Sequence, residues 1–137
     1  MLGKRKIRKN TFNLLFGYSF SKEETALDYF NTAYDNFCCE DDEEESVKNN
    51  FLSVCENVSA IDEIIEKYLQ DWKLNRLSKT TIAILRLSVY EMLYVKLPPA
   101  ISINEAVELA KQYCEEGAPG YINGVLNKIA KSGLIDG

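Results

Sequence analysis

The first twenty residues combine cationic and aromatic side chains at helical spacing. On a wheel with about 100° per residue, one side collects three cations and two rings: Arg5, Arg8, Lys9, Phe12 and Phe16. The opposite side, which must face the core, holds Ile7, Thr11, Leu14, Leu15 and Tyr18. Basic side chains neutralise phosphates, and aromatic rings stack on unpaired bases. The pattern therefore predicts a surface for single-stranded RNA rather than for a duplex, whose bases are already stacked.

The two phenylalanines also have a structural interpretation. Phe12 and Phe16 would be core residues if a second helix packed against their side of the first one. A basic first helix would then serve only to keep the protein in solution. The wheel alone leaves both interpretations open.

Charge is distributed unevenly along the chain. Residues 1–22 contain six basic side chains and no acidic one, whereas residues 23–137 contain ten basic and 21 acidic ones. This asymmetry, within a net charge of −5, indicates a basic arm or face on an acidic body. Much of the acidic excess lies in the run at residues 40–45, for which we expect a solvated loop between helices.

A glycine-rich segment, residues 117–124, spans the loop before the last predicted helix and the start of that helix. Helix N-termini present free backbone N–H groups to anions, and Gly120 and Gly124 lie one turn apart, which would let a ligand or another backbone approach closely. No Gly-Lys-Ser/Thr follows, so the segment is not a P-loop, and no strand precedes it, as a dinucleotide fingerprint requires. Packing of a neighbouring helix against the small residues is the alternative.

Several classes of chemistry are excluded by composition. The chain contains no histidine, which removes Ser-His-Asp and Cys-His catalysis and histidine metal ligands. No Cys-x-x-Cys pair occurs among the four cysteines, Cys38, Cys39, Cys55 and Cys114. We therefore expect reduced thiols, no metal or cofactor, no enzymatic activity and a cytoplasmic location. No apolar run approaches the roughly 20 residues of a membrane-spanning helix, and Asn13 interrupts the short apolar stretch that imitates a signal peptide.

Apolar residues recur every three or four positions almost throughout, which predicts an all-α protein. In the first half we expect a helix from Lys4 to about Ser19 and a second, opened by a capping box at Ser21, to about Phe37. The region from Val47 to Trp72 is either one long helix or two helices that break at residues 57–59.

In the second half, Ser78 is predicted to cap a helix from Lys79 to about Val95. This helix is apolar nearly all round and should lie at the centre of a bundle, with Arg86 in an ion pair to Glu91 or Glu105. A capping box at Ser102 and Glu105 would open the next helix, which Gly117 would close, and Pro119 would start the last one. The total is six to seven helices in one domain over residues 1–137.

Three segments of the second half carry a family resemblance. They are AILRLSVYEML (83–93) followed by Pro98, INEAVELAK (103–111), and YINGVLNKIA (121–130). In this order and spacing they resemble the bacterial transcription antitermination factor family NusB. The basic opening before Leu14-Leu15-Phe16 also fits that family, whereas residues 20–75 match it only in helical pattern.

The resemblance implies a compact all-α bundle of two small helical subdomains without catalytic activity. It also implies binding of the boxA element of nascent ribosomal RNA jointly with NusE, a ribosomal small-subunit protein. With RNA polymerase and other Nus factors, this pair would prevent termination.

Matching positions imply the RNA-binding residues. The family's basic start corresponds to Lys4, Arg5, Lys6, Arg8 and Lys9. Phe16 and Tyr121 correspond to its RNA-stacking rings, and Phe12, Asn123 and Lys128 complete the expected RNA-binding set. Two departures from the family pattern are the Gly-Ala-Pro-Gly segment at 117–120, often polar or charged in the family, and Asn127 in place of a common Asp.

Two alternative functions remain open at this point. One is a NusB-like RNA-binding domain related to the N-terminal part of ribosomal RNA methyltransferases, and the other is a helical adaptor that binds only proteins. The sequence also leaves open whether the chain forms a homodimer. No association with a membrane is expected.

Overall fold

A computed structural model describes residues 2–21, 24–37, 41–69 and 73–133, except for the side chains at positions 2–4, 35–37 and 41–43. Within these ranges the chain forms seven α-helices and no strand, which confirms the all-α prediction. The helices are α1 (Leu2–Tyr18), α2 (Ala26–Phe37), α3 (Asp41–Glu56), α4 (Val58–Tyr68), α5 (Lys79–Tyr90), α6 (Pro99–Tyr113) and α7 (Ala118–Ala130). A 3-10 turn, Leu74–Arg76, precedes α5, and a π-helical segment, Glu91–Val95, follows it.

The helices divide into two compact units, Met1–Asn57 and Val58–Gly137. In the first unit α1 packs against α2 and α3. Its centre is Phe51, whose fully buried ring lies 5.7 Å from Tyr18, 6.1 Å from Tyr29 and 6.2 Å from Phe30, between ring centroids. Truncating such a buried ring costs about 3–5 kcal/mol of stability, so this aromatic cluster fixes α1 against its neighbours.

Gly17 lets α1 and α2 approach closely. A Cβ atom added at this position would overlap the hydroxyl oxygen of Tyr29 and lie 3.3 Å from its Cζ atom. Tyr29 is held in place by its ring contacts with Tyr18 and Phe51. A side chain at position 17 would therefore have to displace a packed ring.

Helix α5 is the central element of the second unit, as its apolar composition predicted. It packs against α4, α6 and α7, and eight of its twelve residues are buried. The hydroxyl of Ser78 accepts a hydrogen bond from the backbone N–H of Thr81 at 3.2 Å, which confirms the predicted cap. Helix α7 buries the apolar side that faces α5 and α6: Ile122, Val125, Leu126 and Ile129.

Arg86 forms an ion pair within the second unit, but the predicted partner was wrong. Its Nε and Nη2 atoms each donate to a carboxylate oxygen of Asp62 on α4, both at 2.8 Å. Neither Glu91 nor Glu105 provides this contact. The partner is 24 residues away in sequence, so helical spacing along α5 could not identify it.

Two helix starts in the first unit differ from expectation. Helix α2 begins at Ala26 rather than at Ser21, because the hydroxyl of Thr25 accepts from the backbone N–H of Asp28 at 3.2 Å and acts as the cap. Lys22 and Glu23, half of the predicted capping box, lie outside the described residues. The acidic run is not a loop: residues 41–45 open α3, where negative charge favours the helix N-terminus, while residue 40 is not described.

The described part of the region from Val47 to Trp72, residues 47–69, contains two helices, so the second of the two predictions is confirmed. The break lies at Asn57, whose Nδ2 atom donates to the carbonyl of Ser53 at 2.8 Å. Trp72 lies outside the described residues. Two predictions further along the chain were wrong. Helix α6 begins at Pro99 rather than after a cap at Ser102. Gly117, at φ +98°, does not close α6, which ends at Tyr113, but precedes α7.

Because α6 begins early, Ser102 is not a cap but a buried residue within the helix. Its hydroxyl lies 2.7 Å from that of Ser88 on α5 and donates to a carboxylate oxygen of Glu91 at 2.9 Å. These contacts join α6 to the start of the π-helical segment.

We expect Gly17→Ala to destabilise the chain by about 1–3 kcal/mol, because overpacking outweighs the gain in helix propensity. In a Tyr29→Phe background the same substitution should cost clearly less, because the overlapping hydroxyl is gone. Urea unfolding of the two single variants and the double variant measures this coupling. An equal cost in both backgrounds would show that the Tyr29 hydroxyl does not constrain position 17.

Candidate nucleic-acid interface

The cations of α1 lie on the solvent side of the first unit. Arg5, Lys6 and Lys9 are exposed and Arg8 is half-exposed, whereas the side chain of Lys4 lies outside the described part. The buried side of the helix is formed by Thr11, Phe12, Leu14 and Leu15. The N-terminal half of α1 therefore presents a cationic surface.

The prediction that Phe12 is an exposed ring was wrong. Phe12 is only 1% exposed and stacks on Phe16, with the ring centroids 6.4 Å apart and the planes inclined by 21°. On the wheel it lies near the middle of the predicted cationic side, about 60° from Leu15. The core therefore extends further around α1 than the wheel predicted. Its ring therefore cannot stack on a base. Phe12 is a core residue, which was the alternative interpretation of the sequence.

Phe16 remains partly accessible at the end of the same helix. It is half-exposed, and its ring meets that of Phe20 edge-on at 5.1 Å. Phe20 follows the end of α1 and is 58% exposed, the largest exposed fraction among the large apolar residues of the described part. Phe20 was not among the predicted RNA-binding residues, although its spacing of four residues from Phe16 places the two rings together.

A second candidate surface lies on α7 of the other unit. Gly120 and Gly124 are exposed, and a Cβ atom built on either would meet no atom within 4 Å. No helix among the described residues packs against them, so the alternative of close helix packing does not apply. The two glycines form a strip of bare backbone along the outer side of α7, with the exposed Lys128 on the following turn.

Asn123 and Asn127 border this strip on one side. The Nδ2 atom of Asn127 donates to the carbonyl oxygen of Asn123 at 2.9 Å and approaches its Oδ1 atom at 3.2 Å. Asn123 is exposed and Asn127 half-exposed. Lys131, exposed at the end of α7, is a further cation and was not among the predicted RNA-binding residues.

Tyr121 borders the strip on its other side. Its side chain is half-exposed, but its hydroxyl oxygen is buried and has no hydrogen-bond partner among the described residues. This burial raises the pKa of Tyr121 above its ordinary value of 10.0. The ring thus contributes apolar surface to the exterior, while the hydroxyl points inward at an energetic cost.

Cys55 and Cys114 are free thiols, whereas Cys38 and Cys39 are not described. Over the described ranges, no group of three or more cysteine, aspartate or glutamate side chains is arranged to hold a metal ion. In the same ranges no helix is both long and apolar enough to span a membrane.

Comparison with known proteins identifies the family. The profile of the NusB family matches residues 5–131. The chain belongs to the NusB family. Transcription antitermination protein NusB of Thermoanaerobacter sp. (strain X514) is 45% identical over 107 residues, which cover 75% of this chain and 76% of the relative.

Solved NusB structures share the fold. NusB of T. maritima superposes with a TM-score of 0.84 at 35% identity, covering 93% of this chain and 89% of that one. A chain from the crystal structure of antitermination factors NusB and NusE in complex with dsRNA gives a TM-score of 0.86 at 28% identity, covering 96% and 98%. The resemblance to the NusB family is therefore confirmed in sequence and in fold.

For this NusB family member we expect Tyr121→Phe to raise the free energy of unfolding by about 1 kcal/mol, because it removes an unpaired buried hydroxyl. Urea unfolding measures the effect. Tyr94→Phe is the matched control, because Tyr94 is 44% exposed and its hydroxyl should contribute little. Lower stability of Tyr121→Phe would mean that the hydroxyl has a favourable partner.

The same variant should change the response to alkali. Since burial raises the folded-state pKa of Tyr121, ionisation of its hydroxyl disfavours the folded state. No stability is lost to this ionisation below pH 10.0, and stability falls as the pH rises through the folded-state pKa. Tyr121→Phe should therefore lose less stability above that pH than the wild-type chain.

Proposed function

We propose that this chain is a transcription antitermination factor that binds the boxA element of nascent ribosomal RNA together with NusE. The observation that carries the proposal is the match to the NusB family over residues 5–131, which includes the cationic surface of α1. A relative of the same fold occurs with NusE and dsRNA in one crystal structure. Residues 1–137 would act as one RNA-binding domain.

The cations of α1 would contact the RNA backbone. Lys4, Arg5, Lys6, Arg8 and Lys9 provide positive charge at one end of an otherwise acidic chain. The acidic remainder repels phosphate, so RNA alone should bind weakly. NusE, bound at the same time, would raise the affinity because both proteins then engage one RNA.

Phe16 and Tyr121 would stack on unpaired bases, and Asn123 and Lys128 would contact the RNA beside the glycine strip. Both rings are half-exposed, as stacking requires. Phe12 is excluded from this set by its burial. The preference for stacking favours single-stranded RNA, and a duplex of the same sequence is the appropriate comparison because a related complex contains dsRNA.

The role we propose is that of a non-catalytic adaptor in the cytoplasm, which links RNA and NusE to RNA polymerase and other Nus factors. An adaptor that binds only proteins would bind NusE equally well with and without RNA. A gel-shift assay with boxA RNA, with and without NusE, separates the two functions: only the proposed one gives a ternary complex that is tighter than either binary complex.

Replacing Arg5, Arg8 and Lys9 with Ala should weaken binding of single-stranded boxA RNA and reduce the slope of log affinity against log salt by about 2. The reason is that three phosphate-neutralising charges are lost, each releasing about 0.7 of a counterion from a single strand. Fluorescence anisotropy at several salt concentrations measures the slope. A triple variant of the exposed Lys67, Lys73 and Lys111 is the matched control. An equal change in both triple variants would mean that net charge, not the surface of α1, determines binding.

Gly124→Gln should leave the fold intact and lower RNA affinity several-fold. The new side chain meets open space and improves helix propensity by up to about 1 kcal/mol, so stability should not fall. Bulk on the strip would nevertheless keep the RNA backbone away from α7. Thermal unfolding and RNA anisotropy are measured on the same sample. Unchanged affinity in a folded variant would exclude the strip from the RNA path.

A further inference from the structure

A cavity of about 300 Å³ opens beside Tyr121 in the second unit. Its lining comes from the turn before α5 and from the segment that leads into α7, and includes Arg76, Ser78, Thr81, Glu115, Glu116 and Tyr121. The volume is at the lower end of small-molecule sites, which run from about 300 to 1,000 Å³. Tyr121 therefore has the glycine strip on one side and a cavity on the other.

The charged groups of the cavity are available to a ligand. Arg76, Glu115 and Glu116 are exposed, and no ion pair involving them is seen among the described residues. Ser78 and Thr81, by contrast, are occupied by the hydrogen bonds of the helix cap. The lining thus combines a guanidinium, which only donates hydrogen bonds, with carboxylates, which only accept them, and an aromatic ring.

These groups favour a base over a phosphate. Two carboxylates against one guanidinium make the lining net negative, which disfavours a phosphate within the cavity. A planar base can stack on the Tyr121 ring and present its polar edges to the charged groups. The phosphates of the same nucleotide would remain outside.

Guanine matches this set of donors and acceptors better than the other bases. Its O6 and N7 atoms are adjacent acceptors that a guanidinium engages with two hydrogen bonds. Its N1–H and N2–H groups are adjacent donors that suit one carboxylate. Adenine and uracil lack both of these paired edges, and cytosine lacks the paired donors.

We propose that the cavity between Arg76, Glu115, Glu116 and Tyr121 binds one unpaired guanine base. This inference rests on the proposed RNA-binding function and adds a base preference to it. Arg76 would recognise the O6/N7 edge, one glutamate the N1/N2 edge, and the Tyr121 ring the face of the base.

The test compares a 12-nucleotide oligouridine with the same RNA carrying one central guanosine, at low salt, by anisotropy. The guanosine should raise affinity about tenfold in the wild-type chain, the effect of one good paired contact. Inosine, which lacks the N2 amino group, should give an intermediate gain. The readout is the ratio of the affinity for the guanosine-containing RNA to the affinity for oligouridine, rather than either affinity alone.

Variants identify the groups responsible. Arg76→Lys keeps the charge but loses the paired donors, so the ratio should fall toward 1. Glu115→Gln with Glu116→Gln should also lower the ratio, although removing two negative charges raises the overall affinity for RNA. Lys73→Gln, which does not line the cavity, is the control and should keep the wild-type ratio.

The outcomes separate this inference from the proposed function. Salt-dependent RNA binding with a ratio near 1 would overturn the guanine site and leave the proposed function standing. If no RNA bound at all, the protein would be titrated with free GMP and with free UMP. Shifts of the Gly117 and Tyr121 amide signals in nuclear magnetic resonance would then show whether the cavity binds guanine. A response to GMP alone, lost in Arg76→Lys, supports the guanine site, and equal responses or none overturn it.

Discussion

Burial of apolar surface by a small helical unit constrains everything else on α1. The first unit, Met1–Asn57, has little interior, so its helices must bury as much of their apolar surface as they can. Helix α1 accordingly buries a wide side that includes Thr11 and Phe12 as well as Leu14 and Leu15. What remains for a ligand is a narrow outer side, and on that side lie the cations and the half-exposed Phe16.

In the second unit, a surface segment is held in place around a helix that is largely buried. Helix α5 is fixed at its start by the Ser78 cap and along its length by the paired hydrogen bonds from Arg86 to Asp62. The buried side of α7 packs onto this support. The outer side of α7 and the segment before it are consequently held in position without contributing to the core, which leaves their residues available for binding.

Local signals predicted much of this fold, because they act within a few residues. The central position of α5 followed from its apolar composition, and the Ser78 cap followed from a single hydroxyl next to a helix start. Predictions failed where a distant or competing contact decides. Asp62, the partner of Arg86, is on another helix, and Ser102 is buried because Pro99 starts α6 one turn earlier than the capping-box pattern indicated.

The candidate site was predictable to a similar degree. Spacing grouped the cations of α1 correctly, but a wheel could not distinguish Phe12 from Phe16, because they differ only in how far the core extends around the helix. Arg76 and the glutamates near Tyr121 are separated by about forty positions in sequence, so only the fold brings them to one cavity. The burial of the Tyr121 hydroxyl likewise could not be predicted from the sequence pattern.

The bare glycines of α7 have a consequence for its dynamics. Each glycine in a helix interior weakens intrinsic helicity by roughly 1 kcal/mol relative to alanine, and a thirteen-residue segment is already marginal as an isolated helix. Helix α7 therefore exists because α5 and α6 hold its inner side. Its amide hydrogens should exchange with solvent through local opening sooner than those of α5, so the helix that carries part of the proposed RNA surface is also one whose order depends on its neighbours.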